Sequence, residues 1–177
     1  MADRVVFSGL QPGLPEIAAH HRDLESSLKH YFSAGSPGYL RFEVGDAATT
    51  VTVELRRLLD EVDSTSSLAV LAAVEARFRI DYLQRCYRRD KHPLSRAFRN
   101  IHKAKQHRAP LEDEIFEAWV GSSSDLRPLI GELRGAFKLR HWLAHGRYWK
   151  PKFGRRYNFD DVFALAELTL NTFPFFE

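Results

Sequence analysis

Apolar positions along this chain recur mostly at helical spacing, and only one short stretch alternates in the two-residue rhythm of a strand. Residues 1–13 carry Gly9, Pro12 and Gly13 and read as irregular. Residues 14–32 predict an amphipathic helix with Ile17, Leu24, Leu28 and Phe32 inward, stopped by Gly35-Ser36-Pro37-Gly38. Residues 39–44 alternate Tyr, Arg and Glu against Leu, Phe and Val, which fits a short strand or an extended loop. Residues 50–62 predict a helix. Ser64 or Ser67 then caps a long one running to about Arg89, with Leu68, Leu71, Ala72, Phe78, Leu83 and Cys86 as its apolar positions.

Beyond Pro93 the pattern predicts a basic helix over residues 94–106, with Phe98 and Ile101 on its inner face. A turn at Arg108-Ala109-Pro110 leads into a helix over 111–120, acidic at its start as the helix dipole favours. A polar link, 121–124, precedes Asp125. That residue is placed to cap a helix through Leu126, Leu129, Ile130, Leu133, Ala136 and Phe137, which Gly146 ends just after His145. Residues 160–173, with Val162, Leu165, Ala166 and Leu170 inward, make the last helix.

Six or seven helices with at most a minor extended segment near 39–44 define an all-α bundle, built around a long antiparallel pair. At 177 residues the chain fits one domain with an N-terminal helical extension, residues 1–60, packed on a bundle of residues 61–177. The 44% hydrophobic content supports a real core. One cysteine, Cys86, excludes an internal disulfide framework and fits a reducing compartment. No basic-plus-apolar leader and no membrane-length apolar run is present, so the expectation is a cytoplasmic protein with no membrane partner.

Charge changes this picture. Residues 85–108 hold nine Lys/Arg, three histidines and one acid, Asp90, while residues 134–156 hold eight Lys/Arg and no acid. The whole chain carries only +3, so the remainder is strongly acidic. Such segregation makes a positive field suited to phosphates.

The second stretch contains the densest chemistry in the chain: Lys138, Arg140, His141, Trp142, His145, Gly146, Arg147, Tyr148 and Trp149. On a helical wheel Arg140 falls among Leu129, Leu133, Ala136, Leu143 and Ala144, whereas Arg134, Lys138, His141 and His145 share another face. A guanidinium set among apolar positions requires a carboxylate, a second subunit or an anionic ligand. Glu75, at a core-like position of the earlier long helix, is the first candidate partner, with Arg79 and Asp81 as nearby charged alternatives.

His141 and His145 have a two-ligand metal spacing, but no third ligand and no intervening glutamate accompany them, so no metal and no cofactor is called for. No phosphate-binding glycine loop and no nucleophile elbow is present. A histidine at a helix C-terminus sits where the dipole favours positive charge. Beside a guanidinium, it supplies the groups that RNA cleavage needs: a proton carrier and a stabiliser for charge on phosphorus.

The run from Arg140 to His145 resembles the Arg-x(4–6)-His motif of the HEPN superfamily (higher eukaryotes and prokaryotes nucleotide-binding), in which the motif lies near the end of a long helix of an all-α bundle. Many members are metal-independent endoribonucleases, including toxins of toxin–antitoxin modules and other defence or stress effectors. The resemblance implies Arg140 as the phosphate-binding arginine, His145 as the catalytic histidine and Glu75 as the acid supporting the arginine. The polar residue after the arginine, often asparagine in the family, is His141 here, which orients the site or shares in proton transfer.

Arg140 and His145 are five residues apart, and an undistorted helix separates them by about 140°. Either the helix loosens before Gly146 or two subunits contribute to one cleft, the second being similar to HEPN ribonucleases. A two-fold homodimer with a composite site is therefore expected. RNA would approach along Arg147, Lys150, Lys152, Arg155 and Arg156, with Tyr148 and Trp149 stacking on bases, while Lys138 joins Glu75 in supporting the site. An antitoxin or regulatory protein is the further partner the resemblance implies. The rival readings are a non-catalytic nucleotide-, RNA- or protein-binding module, and a helical dimer in which Arg140 serves structure alone. In the latter, Arg140→Ala strands Glu75 and costs marked stability.

Overall fold

The structure is a computed structural model that describes residues 4–40, 47–88 and 90–176. Its longest element follows directly from composition. Between Ala47 and Arg88 there is neither Gly nor Pro, and the whole stretch is one 42-residue helix, α3. The two separate helices expected here are a single one. Ser64 is no cap: its hydroxyl donates to the Asp60 carbonyl at 2.8 Å, and Thr65 donates to the Glu61 carbonyl at 2.9 Å. Ser67 is buried within the same helix. Hydroxyls satisfied four residues back let a polar Ser/Thr run stay helical. The division drawn between residues 60 and 61 thus falls inside α3, and Arg89 lies outside the described residues.

Before it, α1 (Leu14–Tyr31) packs on α3 through Leu14, Ile17 and Ala18, with Phe32 buried just past its end. Leu24, expected inward, is exposed. A single turn, α2 (Pro37–Leu40), covers the start of the segment read as strand or loop. Residues 41–44 of that segment lie outside the described residues.

After it comes α4 (Pro93–Lys105), capped by His92, whose Nδ1 accepts from the Leu94 amide. Gln106 ends α4 with φ +52°, and the buried Tyr82 hydroxyl donates to its carbonyl at 2.8 Å. A π-helical turn (Leu111–Ile115) then feeds α5 (Phe116–Ser122). Next is a 3₁₀ turn (Ser124–Leu126) leading into α6 (Arg127–Ala144). Asp125 sits inside that turn instead of capping, and Pro128 in the first turn of α6 starts the helix. Last comes α7 (Phe159–Thr172), where Asn158 Oδ1 accepts from the Asp161 amide at 2.7 Å.

The result is an all-helical bundle in which α3 touches α1, α4, α6 and α7. Residue 61 meets residue 147 and residue 75 meets residue 140, so α3 and α6 run antiparallel. Phe78, fully buried on α3, is ringed by Phe116, Trp119, Phe173 and Phe175. Below this aromatic knot the C-terminal segment is tied to α3 by polar contacts. Asp81 accepts from Arg85 and from the Phe176 amide, each at 2.8 Å. Arg85 and Arg77 donate to the carbonyls of Pro174 and Phe176. Among the described residues no helix is long and apolar enough to cross a membrane.

Candidate functional site

The buried stripe of α6, Ile130, Leu133, Ala136, Phe137, Leu139 and Leu143, fixes how the helix lies on α3. Arg140 sits beside that stripe, its side chain one-third exposed, and the partner expected for it is present. Its Nη2 lies 2.8 Å from Glu75 Oε2. The other oxygen of the same carboxylate accepts from Arg79 Nε at 2.8 Å, and Arg79 Nη1 donates to the Ala109 carbonyl at 3.1 Å. One carboxylate therefore faces two guanidinium groups, which leaves an excess positive charge. Arg140 Nε is buried and has no hydrogen-bond partner among the described residues. Asp81, the other acid considered, is occupied by Arg85.

How α6 ends decides where the histidines go. The amide of Gly146 reaches the Leu143 carbonyl and that of Arg147 reaches the Trp142 carbonyl, the paired bonds of a Schellman stop. Gly146 supplies the left-handed φ of +78° that this stop requires. Arg147 also has positive φ, +59°, a cost for a residue with a Cβ. Glu61 on α3 grips its guanidinium through two hydrogen bonds of 2.6 and 2.9 Å, which holds the turn in place.

The helix stays regular to Ala144, and His145 is its C-cap, with φ −99° and its amide still bonded to the His141 carbonyl at 3.1 Å, so the chain leaves helical geometry only at the last residue of the motif. Among the described residues no hydrogen bond or ion pair joins Arg140 to His145. His145 instead packs its ring on that of His141, centroids 4.2 Å apart. Both imidazoles are exposed. The chain after the stop folds back over the helix end: Trp142 Nε1 donates to the Trp149 carbonyl at 2.8 Å, and the Trp149 ring lies 5.7 Å from His141.

Between this returning segment and the π-helical turn lies a cleft of about 360 Å³, lined by Glu112, Lys138, His141, Trp149, Lys152 and Phe153. Glu112 was not legible as a site residue. In sequence it is one of three acids opening a helix, and only its place in the cleft wall separates its role from that of Asp113 and Glu114. Its carboxylate is half-buried, and among the described residues it has neither a hydrogen bond nor an ion pair. Burial raises its pKa, against the pull of Arg134, Lys138 and His141. Arg134 is engaged elsewhere, by the Glu112 carbonyl at 2.8 Å and by the Glu117 carboxylate.

The other expected contact residues divide. Arg147 is bound to Glu61, and Arg155 pairs with Glu132 at 3.2 Å while lying over the Tyr157 ring. Lys138, Lys150, Lys152 and Arg156 are exposed, with no ion pair among the described residues. Tyr148 is fully on the surface, edge-on to Trp149 at 4.7 Å. Trp142 packs partly inward, 5.6 Å from Phe153. The first basic stretch splits as well: Arg85 is buried in the core, whereas Arg96, Lys103, Lys105 and Arg108 face solvent. The Arg79–Ala109 bond sets the end of this stretch beside the Glu75–Arg140 pair.

Among the described residues no group of three or more His, Cys, Asp or Glu is placed to hold a metal ion. Cys86 is buried and its thiol is pushed up to about 12 by burial, which leaves it unreactive. Compared with protein-family models, with curated proteins and with solved structures, the chain matches none.

Proposed function

We propose that this chain is a metal-independent endoribonuclease of the HEPN type, acting as a two-fold homodimer in the cytoplasm. The observation that carries the reading is the Arg79–Glu75–Arg140 cluster. A partly exposed arginine is held by a carboxylate that cannot neutralise both its guanidinium partners. A phosphate meeting the exposed part of the Arg140 guanidinium supplies the missing negative charge.

The exposed His141–His145 pair at the end of the same helix supplies the proton carriers. In the proposed reaction a base takes the proton of a ribose 2′-OH and the 2′-oxygen attacks phosphorus. The 5′-oxygen then leaves with a proton from an acid, giving a 2′,3′-cyclic phosphate and a 5′-OH end. Arg140 stabilises the charge that builds on the phosphoryl oxygens, and His145 carries a proton, with His141 orienting or sharing it. Because Arg140 and His145 diverge around a regular helix, the composite site draws Arg140 from one protomer and His145 from its partner. Lys138, Lys150, Lys152 and Arg156 engage backbone phosphates, and Tyr148 and Trp149 stack on unpaired bases. By resemblance the role is that of a toxin or a defence or stress effector, restrained by an antitoxin or another regulatory protein.

The test is RNA cleavage in excess EDTA by the wild type, His145→Ala and Arg140→Ala, each checked for folding by circular dichroism. Cleavage by the wild type alone, leaving cyclic phosphate ends, supports the proposal. An RNA panel left intact but bound in a salt-dependent way replaces the enzyme with a binding module.

A further inference from the structure

The cleft beside His141 holds a feature that phosphate binding does not explain. Its walls carry Lys138, Lys152 and Trp149, which suit a polyanion and a flat base, yet Glu112 stands among them with a half-buried carboxylate that has no partner among the described residues. A carboxylate repels phosphate, so along an RNA path it weakens non-specific binding. Leaving it without donors also costs free energy. The nearest strong donor is diverted: Arg134 bonds the Glu112 backbone carbonyl and the Glu117 side chain, and the Glu112 carboxylate stays open to the cleft. What such a group reads is an edge with donors side by side.

We infer that this cleft is a guanine-selective base pocket, in which Glu112 accepts from N1–H and N2–H of an unpaired guanine stacked on Trp149. Among the four RNA bases only guanine presents two adjacent donors on its Watson–Crick edge. Adenine and cytosine each set one amino donor beside an acceptor nitrogen, and uracil sets one N–H between two carbonyls, so each turns a lone pair toward the carboxylate. The cleft volume, about 360 Å³, lies in the range of sites that take small ligands. Lys138 and Lys152 flank the rim and meet the phosphates on either side of the base. The His141 ring lies within both this cleft and the His145 contact, so the bound base fixes which phosphate reaches the proposed catalytic groups.

The inference names the substrate preference of the proposed ribonuclease and rests on that reading for the RNA it serves; the pocket itself is testable without cleavage. The experiment titrates the full chain with GMP, IMP, AMP, CMP and UMP, following tryptophan fluorescence. GMP is expected to bind about ten-fold or more tightly than AMP, CMP and UMP, with IMP, which lacks the 2-amino group, in between. Glu112→Gln is expected to bring GMP to within about two-fold of AMP, because one of its two acceptors becomes a donor. Trp149→Ala should weaken every nucleotide. Equal affinities for GMP and AMP, or a GMP preference that survives Glu112→Gln, overturns the pocket even if RNA is cut. A GMP preference that depends on Glu112, in a protein that cuts no RNA, upholds the pocket and removes the ribonuclease. The GMP–IMP comparison needs no variant and decides the matter if Glu112→Gln fails to fold.

Discussion

Arg140 and Glu75 meet at 2.8 Å across the antiparallel helices α6 and α3, and the relationship is unequal. Glu75 has a second partner in Arg79, also at 2.8 Å, whereas Glu75 is the one ion-pair partner of Arg140 among the described residues. Each arginine side chain is about one-third exposed, and the carboxylate between them is 16% exposed.

Removing Arg140 therefore does not strand Glu75, contrary to what its core-like position in the sequence suggests. Arg140→Ala is expected to lower the unfolding free energy by about 1 kcal/mol, because the pair is partly solvated and Arg79 remains. Glu75→Ala leaves two guanidinium groups facing each other and is expected to cost about 2–3 kcal/mol. Urea denaturation of both variants measures the difference. Equal losses would show that Arg79 does not share the carboxylate in solution.

The helical class and the boundaries of α1, α4 and α7 were legible from apolar spacing, and Glu75 stood as the first of several candidate partners for Arg140 because an unpaired charge there is costly. Each rests on apolar periodicity or on the cost of an unpaired charge, which act locally or along one face. Less legible were features decided by contacts between distant segments. Ser64 and Ser67 carry cap-forming side chains, and only packing along all of α3 makes them interior residues. Asp125 has the chemistry of a cap but lies in a 3₁₀ turn. Arg147 belongs by composition with the other basic residues, and the structure shows it committed to Glu61, 86 residues away. Glu112 is one of three neighbouring acids in sequence, and only the folding back of the chain after Gly146 makes it part of a cleft wall.

Asp81 is the most buried charge described, with no exposed surface, and its two oxygens serve two masters: Arg85 Nε and the Phe176 amide. Asp81→Ala strands both donors and is expected to destabilise the fold by about 3–5 kcal/mol, the range for one partner lost from a buried pair. Arg85 lies 5.1 Å above the Trp119 ring, so loosening of the segment from Phe173 to Phe176 should also change tryptophan emission. A variant with wild-type stability and emission would mean that the C-terminal segment is held by its aromatic rings alone.

Burial raises the pKa of Glu112 above its ordinary value of 4.5, against the opposing pull of Arg134. A carboxyl group that binds its proton more tightly when folded stabilises the fold below the unfolded value and loses that contribution as pH rises through the folded one. The wild type should therefore lose stability relative to Glu112→Gln between about pH 4 and neutrality. Parallel urea titrations at several pH values check this. A gap between the two proteins that stays constant with pH, or reverses in sign, would show that the cations around the cleft dominate over burial.

The divergence of Arg140 and His145 around a regular helix leads to the sharpest prediction about assembly. If one site takes its arginine from one protomer and its histidine from the other, two inactive variants can repair each other. In a mixed dimer of Arg140→Ala with His145→Ala, one of the two sites loses both groups and the other keeps both intact. Random exchange makes half the dimers mixed, so the mixture should recover about one quarter of wild-type cleavage, while either variant alone stays inactive. Recovery should appear only after subunit exchange, for example by dilution and reconcentration, and should vanish if the variants are crosslinked as separate dimers first. No recovery after proven exchange would place both groups of a working site on one chain, and the loop from His145 to Trp149 would then have to move to bring them together.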